Sequence, residues 1–234
     1  MKIPTLLLLG LAAGVPAATL LGAAHTAVTA EDETEQLEAR YEKAQAVWKE
    51  AFEQAELVDR KALRAKHPAI LMWDKFEALG ASGQGRALLW MAEHTREKGL
   101  KKQERGAVKR DLYRRILADH LEEPWARRVI SMAVRDHREV GTEEVLAMLK
   151  GVSERAEEPL LRLLATLKTG ELLASSRDPE QQEQGEAILA AYEREHLSIG
   201  AEAIDFRAQT VDGHPFRLSD YRGKVVLIDF YGFW

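Results

Sequence analysis

Between residues 31 and 197 the sequence keeps returning to one signal: apolar residues three or four apart, broken at short intervals by proline or glycine. That period places the apolar side chains on one face of a helix. No alternation of period two, the mark of a half-buried strand, stands out anywhere in this stretch. A chain patterned in this way must pack helix on helix, because each stripe has to be covered by another element.

The first stripe runs through Leu37, Tyr41, Ala44, Val47, Ala51, Ala55 and Val58. Its far side is acidic, with nine acids against three bases over residues 31–58. Such a face is solvated or meets a partner. His67-Pro68 interrupts the pattern, since the residue before proline is pushed out of the helical region. Residues 69–79 then read as a helix ending at Gly80, and residues 86–98 as the next, followed by another over residues 107–121. Pro124, Pro159 and Pro179 each open a further helix at the position that tolerates proline. Thr142 is placed to cap another, with Glu143 and Glu144 in its first turn. No fixed repeat of about 34 residues is found. The expectation is an irregular helical domain over residues 31–198.

Chemistry-bearing residues in that domain are sparse. Asp119-His120 and Asp136-His137 are adjacent pairs, which do not face each other on a helix. His94, His120 and His137 lack the spacing that puts two metal ligands on one face. Neither metal nor cofactor is expected. Residues 98–115 carry eight bases and two acids, a face expected to be solvated or set against an acidic neighbour. Trp48, Trp73, Trp90 and Trp125 fall on apolar faces and are expected in the core. The net charge of −5 and the absence of a long basic block argue against nucleic acid as a partner.

The two ends have a different texture. Residues 1–30 have one positive charge at Lys2, a long apolar run from Ile3, and small residues at Val28 and Ala30. That is the pattern of a secretory signal, with cleavage expected after Ala30 and export to the periplasm or beyond. An uncleaved membrane anchor is the alternative. Although export leads to oxidising compartments, the 234 residues contain no cysteine, so the chain has neither a disulfide staple nor a thiol for chemistry.

From Gly200 two short extended runs flank Asp212-Gly213, a hairpin signal. A turn or short helical element follows, with Ser219 placed to cap it and Gly223 allowing the chain to reverse. The apolar run 225–230 has the character of a central strand covered on both faces. Residues 199–234, "IGAEAIDFRAQTVDGHPFRLSDYRGKVVLIDFYGFW", resemble the opening of the thioredoxin-like redoxins, above all the exported TlpA-type thiol–disulfide oxidoreductases. Asp205-Phe206, Asp212-Gly213, Leu218-Ser219-Asp220-Tyr221, Gly223-Lys224 and Trp234 carry the resemblance. Ala203-Ile204 stands where the family commonly has Ala-Pro. Peroxiredoxins (AhpC/TSA) share the hairpin, but their reactive cysteine follows a longer loop.

The helical pattern and the resemblance together give a fold class that is mostly α, in which the resemblance implies the ββ-hairpin and first central strand of an incomplete thioredoxin-like α/β domain after the helices. It implies Tyr231, Phe233 and Trp234 as residues flanking an active site whose Cys-x-x-Cys would follow Trp234. It also implies a disulfide-bearing protein or a peroxide as substrate, while the helical domain would hold a protein partner. Three accounts of the missing cysteines stay open: a break in the coding sequence, a UGA-encoded selenocysteine at the first catalytic position, or a vestigial tail on a non-enzymatic helical interaction protein. As written, the chain is expected to be inactive.

Overall fold

A computed structural model describes residues 30–229. The expected signal segment and the three expected flanking residues Tyr231, Phe233 and Trp234 lie outside the described residues. Among the described residues the chain is mostly α: α1 (Ala30–Gln54), α2 (Leu57–Ala65), α3 (Pro68–Ala81), α4 (Gly85–Glu93), α5 (Lys102–Asp119), α6 (Ala126–Arg135), α7 (His137–Val140), α8 (Thr142–Arg155), α9 (Pro159–Ala174) and α10 (Pro179–Tyr192). A single π-helical turn, Glu193–Leu197, extends α10. A two-stranded antiparallel hairpin follows, β1 (Arg207–Gln209) and β2 (Pro215–Arg217), then a 3-10 turn at Leu218–Tyr221.

Neighbours in sequence are neighbours in space. α1 lies on α3, which pairs with α4; α4 packs on α5, and α5 in turn on α6, α7 and α8. α8 passes to α9 and α9 to α10. One continuous apolar core links Leu37 of α1 to Leu172 of α9. At its centre Phe76, Tyr113, Ile116, Val129, Ile130, Val145 and Val152 are fully buried.

Proline sets several helix starts. Pro68, Pro159 and Pro179 each stand at the first turn of their helices, where the missing N–H costs nothing. Asp178 caps α10 by accepting from the Glu180 backbone N–H at 3.0 Å. His67 caps α3 through Nδ1, which accepts from the Ala69 N–H at 3.2 Å. Burial also pushes the His67 imidazole below its usual pKa.

Elsewhere the local chemistry departs from expectation. Thr142 is the first residue of α8 and makes no cap, although Glu143 and Glu144 do fill the first turn. Pro124 sits before α6, whose N-cap is Trp125. α4 stops at Glu93, not 98, and residues 94–99 form turns. His94 is its C-cap, with ring Nδ1 2.7 Å from the Trp90 carbonyl, which also accepts from the His94 backbone N–H at 3.1 Å.

The stripe read along α1 holds only for its first half. Leu37 and Tyr41 are buried, whereas Val47 and Val58 are 68% and 78% exposed. Trp48 takes over: its indole Nε1–H donates to the Leu63 carbonyl at 2.8 Å, and it stacks on Phe52 at 4.8 Å. α1 ends at Gln54 and helix resumes at Leu57 in α2, so Val58 lies on α2 and not on a continued α1 stripe.

Candidate functional site

The hairpin segment is organised by one carboxylate. Asp205 precedes β1 and accepts from the Ser219 backbone N–H at 2.9 Å, the Ser219 hydroxyl at 3.0 Å and Arg217 Nη1 at 3.1 Å. The Ser219 N–H, followed by its hydroxyl and by Arg217, holds this carboxyl below the usual range against the opposing effect of burial. Ser219 is therefore not the cap of the turn. Asp220 fills that role by accepting from the Arg217 N–H at 2.8 Å. The strand register sets Arg207 opposite Arg217, a like-charge pair that Asp205 offsets.

At the loop, the Thr210 N–H donates to the His214 carbonyl and the Gly213 N–H to the Thr210 carbonyl, both at 2.9 Å. Gly213 has φ of 80°, a conformation that costs glycine little. A shallow groove of about 280 Å³ runs beside Asp205, Ser219, Tyr221 and Val226. The apolar run 225–229 is unpaired among the described residues, with Val225 103% and Leu227 92% exposed. A strand is defined by its ladder partners, and none is present there.

Replacing Asp205 by Ala should free the Ser219 amide and leave Arg207 and Arg217 facing each other. Amide hydrogen exchange at Ser219 and Leu218 should then accelerate at least tenfold, as expected for a local opening, with exchange in α3–α8 unchanged.

A second candidate lies among the helices: a cleft of about 410 Å³ between α1, α4 and the start of α6. The Trp90 indole forms its floor. It stacks on Phe76 at 3.6 Å and on His94 at 4.3 Å, and the Tyr41 ring stands nearly perpendicular to it at 4.9 Å. Arg86 on the rim spends both Nη groups on α1, at 2.6 Å from Glu35 and 2.6 Å from Glu38. Burial pushes the Glu38 carboxyl above its usual range, although Arg86 opposes it. Arg128 approaches Glu93 at 2.9 Å from the other side. Trp125 is half-buried and forms a wall. Three polar atoms of the residues lining this cleft, the Tyr41 hydroxyl, Trp90 Nε1 and Glu93 Oε1, are buried without a hydrogen-bond partner. Burial, with the Glu97 carboxylate adding to it, pushes the Tyr41 hydroxyl up to about 12.

The remaining candidates are structural. His137 Nδ1 lies 2.9 Å from the Val134 carbonyl. His120 caps the end of α5 and packs against Gly85. Trp73 and Trp90 are core residues as expected, while Trp48 and Trp125 are half-buried. The basic stretch 98–115 is set against an acidic neighbour, α7 and α8. Arg105 pairs with Glu139 and Arg114 with Glu144. Lys109 Nζ donates to Asp136 Oδ2 at 2.8 Å and to Glu139 Oε2 at 3.1 Å. Among the described residues no group of three or more His, Asp or Glu is arranged to hold a metal. No helix there is long and apolar enough to cross a membrane.

A mostly helical chain followed by an Asp205-locked hairpin is a helical fold carrying a partial thioredoxin-like region. A 42-residue stretch of it is 45% identical to the thiol-disulfide oxidoreductase ResA of Geobacillus kaustophilus (strain HTA426). That stretch is 18% of this chain and 24% of the relative, so the similarity spans about a quarter of the relative's length. No family model matches the chain, and no solved structure matches it.

Proposed function

We propose that this sequence belongs to an exported thiol–disulfide oxidoreductase of the TlpA type, in which the helical domain of residues 31–198 precedes a redoxin domain that begins near residue 199. The similarity to a thiol-disulfide oxidoreductase carries this reading. The hairpin supports it, because Asp205, Ser219, Asp220 and Gly213 each do defined work in holding the turn that the resemblance is built on. In such an enzyme a thiolate at a helix N-terminus attacks the substrate disulfide and a second cysteine resolves the mixed disulfide. Tyr231, Phe233 and Trp234 would wall that site. The charged, apolar and small-residue order of residues 1–30 supports export with cleavage after Ala30.

The deciding experiment reads the coding DNA through and past the Trp234 codon. A cysteine codon, or a restored frame, followed three positions on by a second cysteine gives the ordinary dithiol enzyme. An in-frame TGA followed by an open frame with that second cysteine gives a selenocysteine enzyme. A TAA or TAG with no redoxin continuation overturns the enzyme reading. In parallel, the 234-residue chain should not reduce insulin disulfides at all, since it holds no thiol. Turnover by this cysteine-free form would rule out the dithiol mechanism.

A further inference from the structure

The cleft of α1, α4 and α6 contains donors that the chain itself does not use. Tyr41 and Trp90 are 3% and 4% exposed, and each keeps a buried polar atom without a partner. Leaving such groups unpaired is destabilising, so they normally mark a water or a ligand. An indole N–H only donates, and a phenol also donates readily. The two donors lack an acceptor oxygen, while Glu93 Oε1 in the same lining is an acceptor without a hydrogen-bond donor.

Charge narrows the occupant. Glu38, Glu42 and Glu93 face the cleft, with Arg86 and Arg128 as the opposing bases. Arg86 is fully committed to Glu35 and Glu38. Arg128 is 65% exposed and holds Glu93 only from the outside, so an incoming cation can replace it. Among the described residues no cation pairs with Glu42, and the outer face of α1 adds further acid. An anionic ligand is disfavoured here and a cation is welcome. The half-buried Trp125 offers an apolar wall of the kind along which a lysine or arginine stem lies.

We propose that this cleft seats a basic side chain of an extended polypeptide, with its cation against Glu42 and Glu93 and adjoining backbone carbonyls on the Trp90 indole N–H and the Tyr41 hydroxyl. A polypeptide supplies both the carbonyl acceptor and the cation on one short, flexible segment. The site does not depend on the redox reading, since every residue in it belongs to the helical part.

Titration calorimetry on the full chain tests this with three probes: a capped pentaglycine carrying a central lysine, the same peptide with a central glutamate, and free lysine. The lysine peptide should bind saturably, and both other probes about tenfold or more weakly. Glu42→Gln, an exposed change, should weaken the lysine peptide roughly fivefold without altering Tm. Tyr41→Phe removes a buried unpartnered hydroxyl, so it should raise Tm by about 2–4 °C while weakening the peptide. Equal binding of free lysine and peptide overturns the polypeptide assignment in favour of a small cationic ligand. No saturable binding of any probe, or a Tyr41→Phe variant that is stabler and binds equally well, means the unpartnered atoms hold ordered water only and the proposal falls.

Discussion

Lys109→Met should lower the stability of the helical domain by about 3–5 kcal/mol at neutral pH, the usual cost of removing one partner from a buried ion pair. Lys109 is 3% exposed and Asp136 7%. Besides Lys109, Asp136 Oδ2 accepts from the Tyr113 hydroxyl at 2.7 Å, and Glu139 accepts from Arg105 Nε at 2.7 Å. The cluster joins α5 to the α6–α7 corner and to α7, so its loss loosens three elements together. Urea unfolding should show a lower midpoint with an unchanged slope.

The pH dependence separates lost charge pairing from lost packing. Burial pushes the Asp136 carboxyl up, but hydrogen bonds from Lys109, Tyr113 and Arg135 outweigh it and hold the group below the carboxylate range. The hydrogen bond from Arg105, opposed by burial and helped by Lys109, does the same for Glu139. A carboxyl lowered in the folded state adds stability above its unfolded pKa. That contribution fades as pH falls from about 4 through the lower folded value. The wild type should therefore weaken along that limb. The Lys109→Met variant has already lost the largest lowering contact at Asp136, while Glu139 keeps Arg105, and it should weaken less, so the two stability curves should converge toward acid. A gap that stays constant with pH would assign the cost to the packing of the lysine stem instead.

This cluster shows where legibility stops. Arg105, Lys109 and Tyr113 stand at i, i+4 and i+8 on one face of α5, a spacing visible in the sequence. Only the fold shows that this face is inward, because the partner Asp136 lies 27 residues away. A periodicity that counts apolar residues does not register a buried lysine. The same blindness affected α1, where Val47 continued the stripe on paper and Trp48 carries it in the molecule. Local signals fared better. Pro159 and Pro179 start their helices, and Asp212-Gly213 makes its hairpin, because each effect acts within one turn, whereas Pro124 falls just outside the Trp125 N-cap of α6. In the redoxin-like segment the motif pointed to Asp205 and Ser219 without revealing that they bind each other. The cleft had no signal at all: Tyr41, Trp90 and Trp125 read as core, and an unpartnered polar atom exists only in three dimensions.

Gly185→Ala should detach α10 from the rest of the helices, at a cost of about 3 kcal/mol in the α9–α10 contact. A Cβ at Gly185 would stand 2.2 Å from the Ala174 nitrogen and 2.7 Å from the Leu173 carbonyl carbon. Both are backbone atoms in the last turn of α9, which cannot rotate aside, so the helices must part. Gly185 is the one buried residue of α10, so its backbone marks the close approach in an otherwise extensive contact with α9. Gly170→Ala is the control. Its Cβ would meet Leu189 Cδ2 at 2.9 Å and Ile188 Cγ2 at 3.0 Å, side-chain and not backbone atoms, and its cost should stay at about 1 kcal/mol. Hydrogen exchange distinguishes the two outcomes for Gly185→Ala. Because α10 packs chiefly on α9, its amides should lose protection while those of α3–α8 keep theirs, as in a sub-global opening. Protection lost evenly across the whole helical core would instead make α10 part of one cooperative unit. In that case the helix that leads into the redoxin-like segment would report directly on the aromatic floor beneath Tyr41 and Trp90.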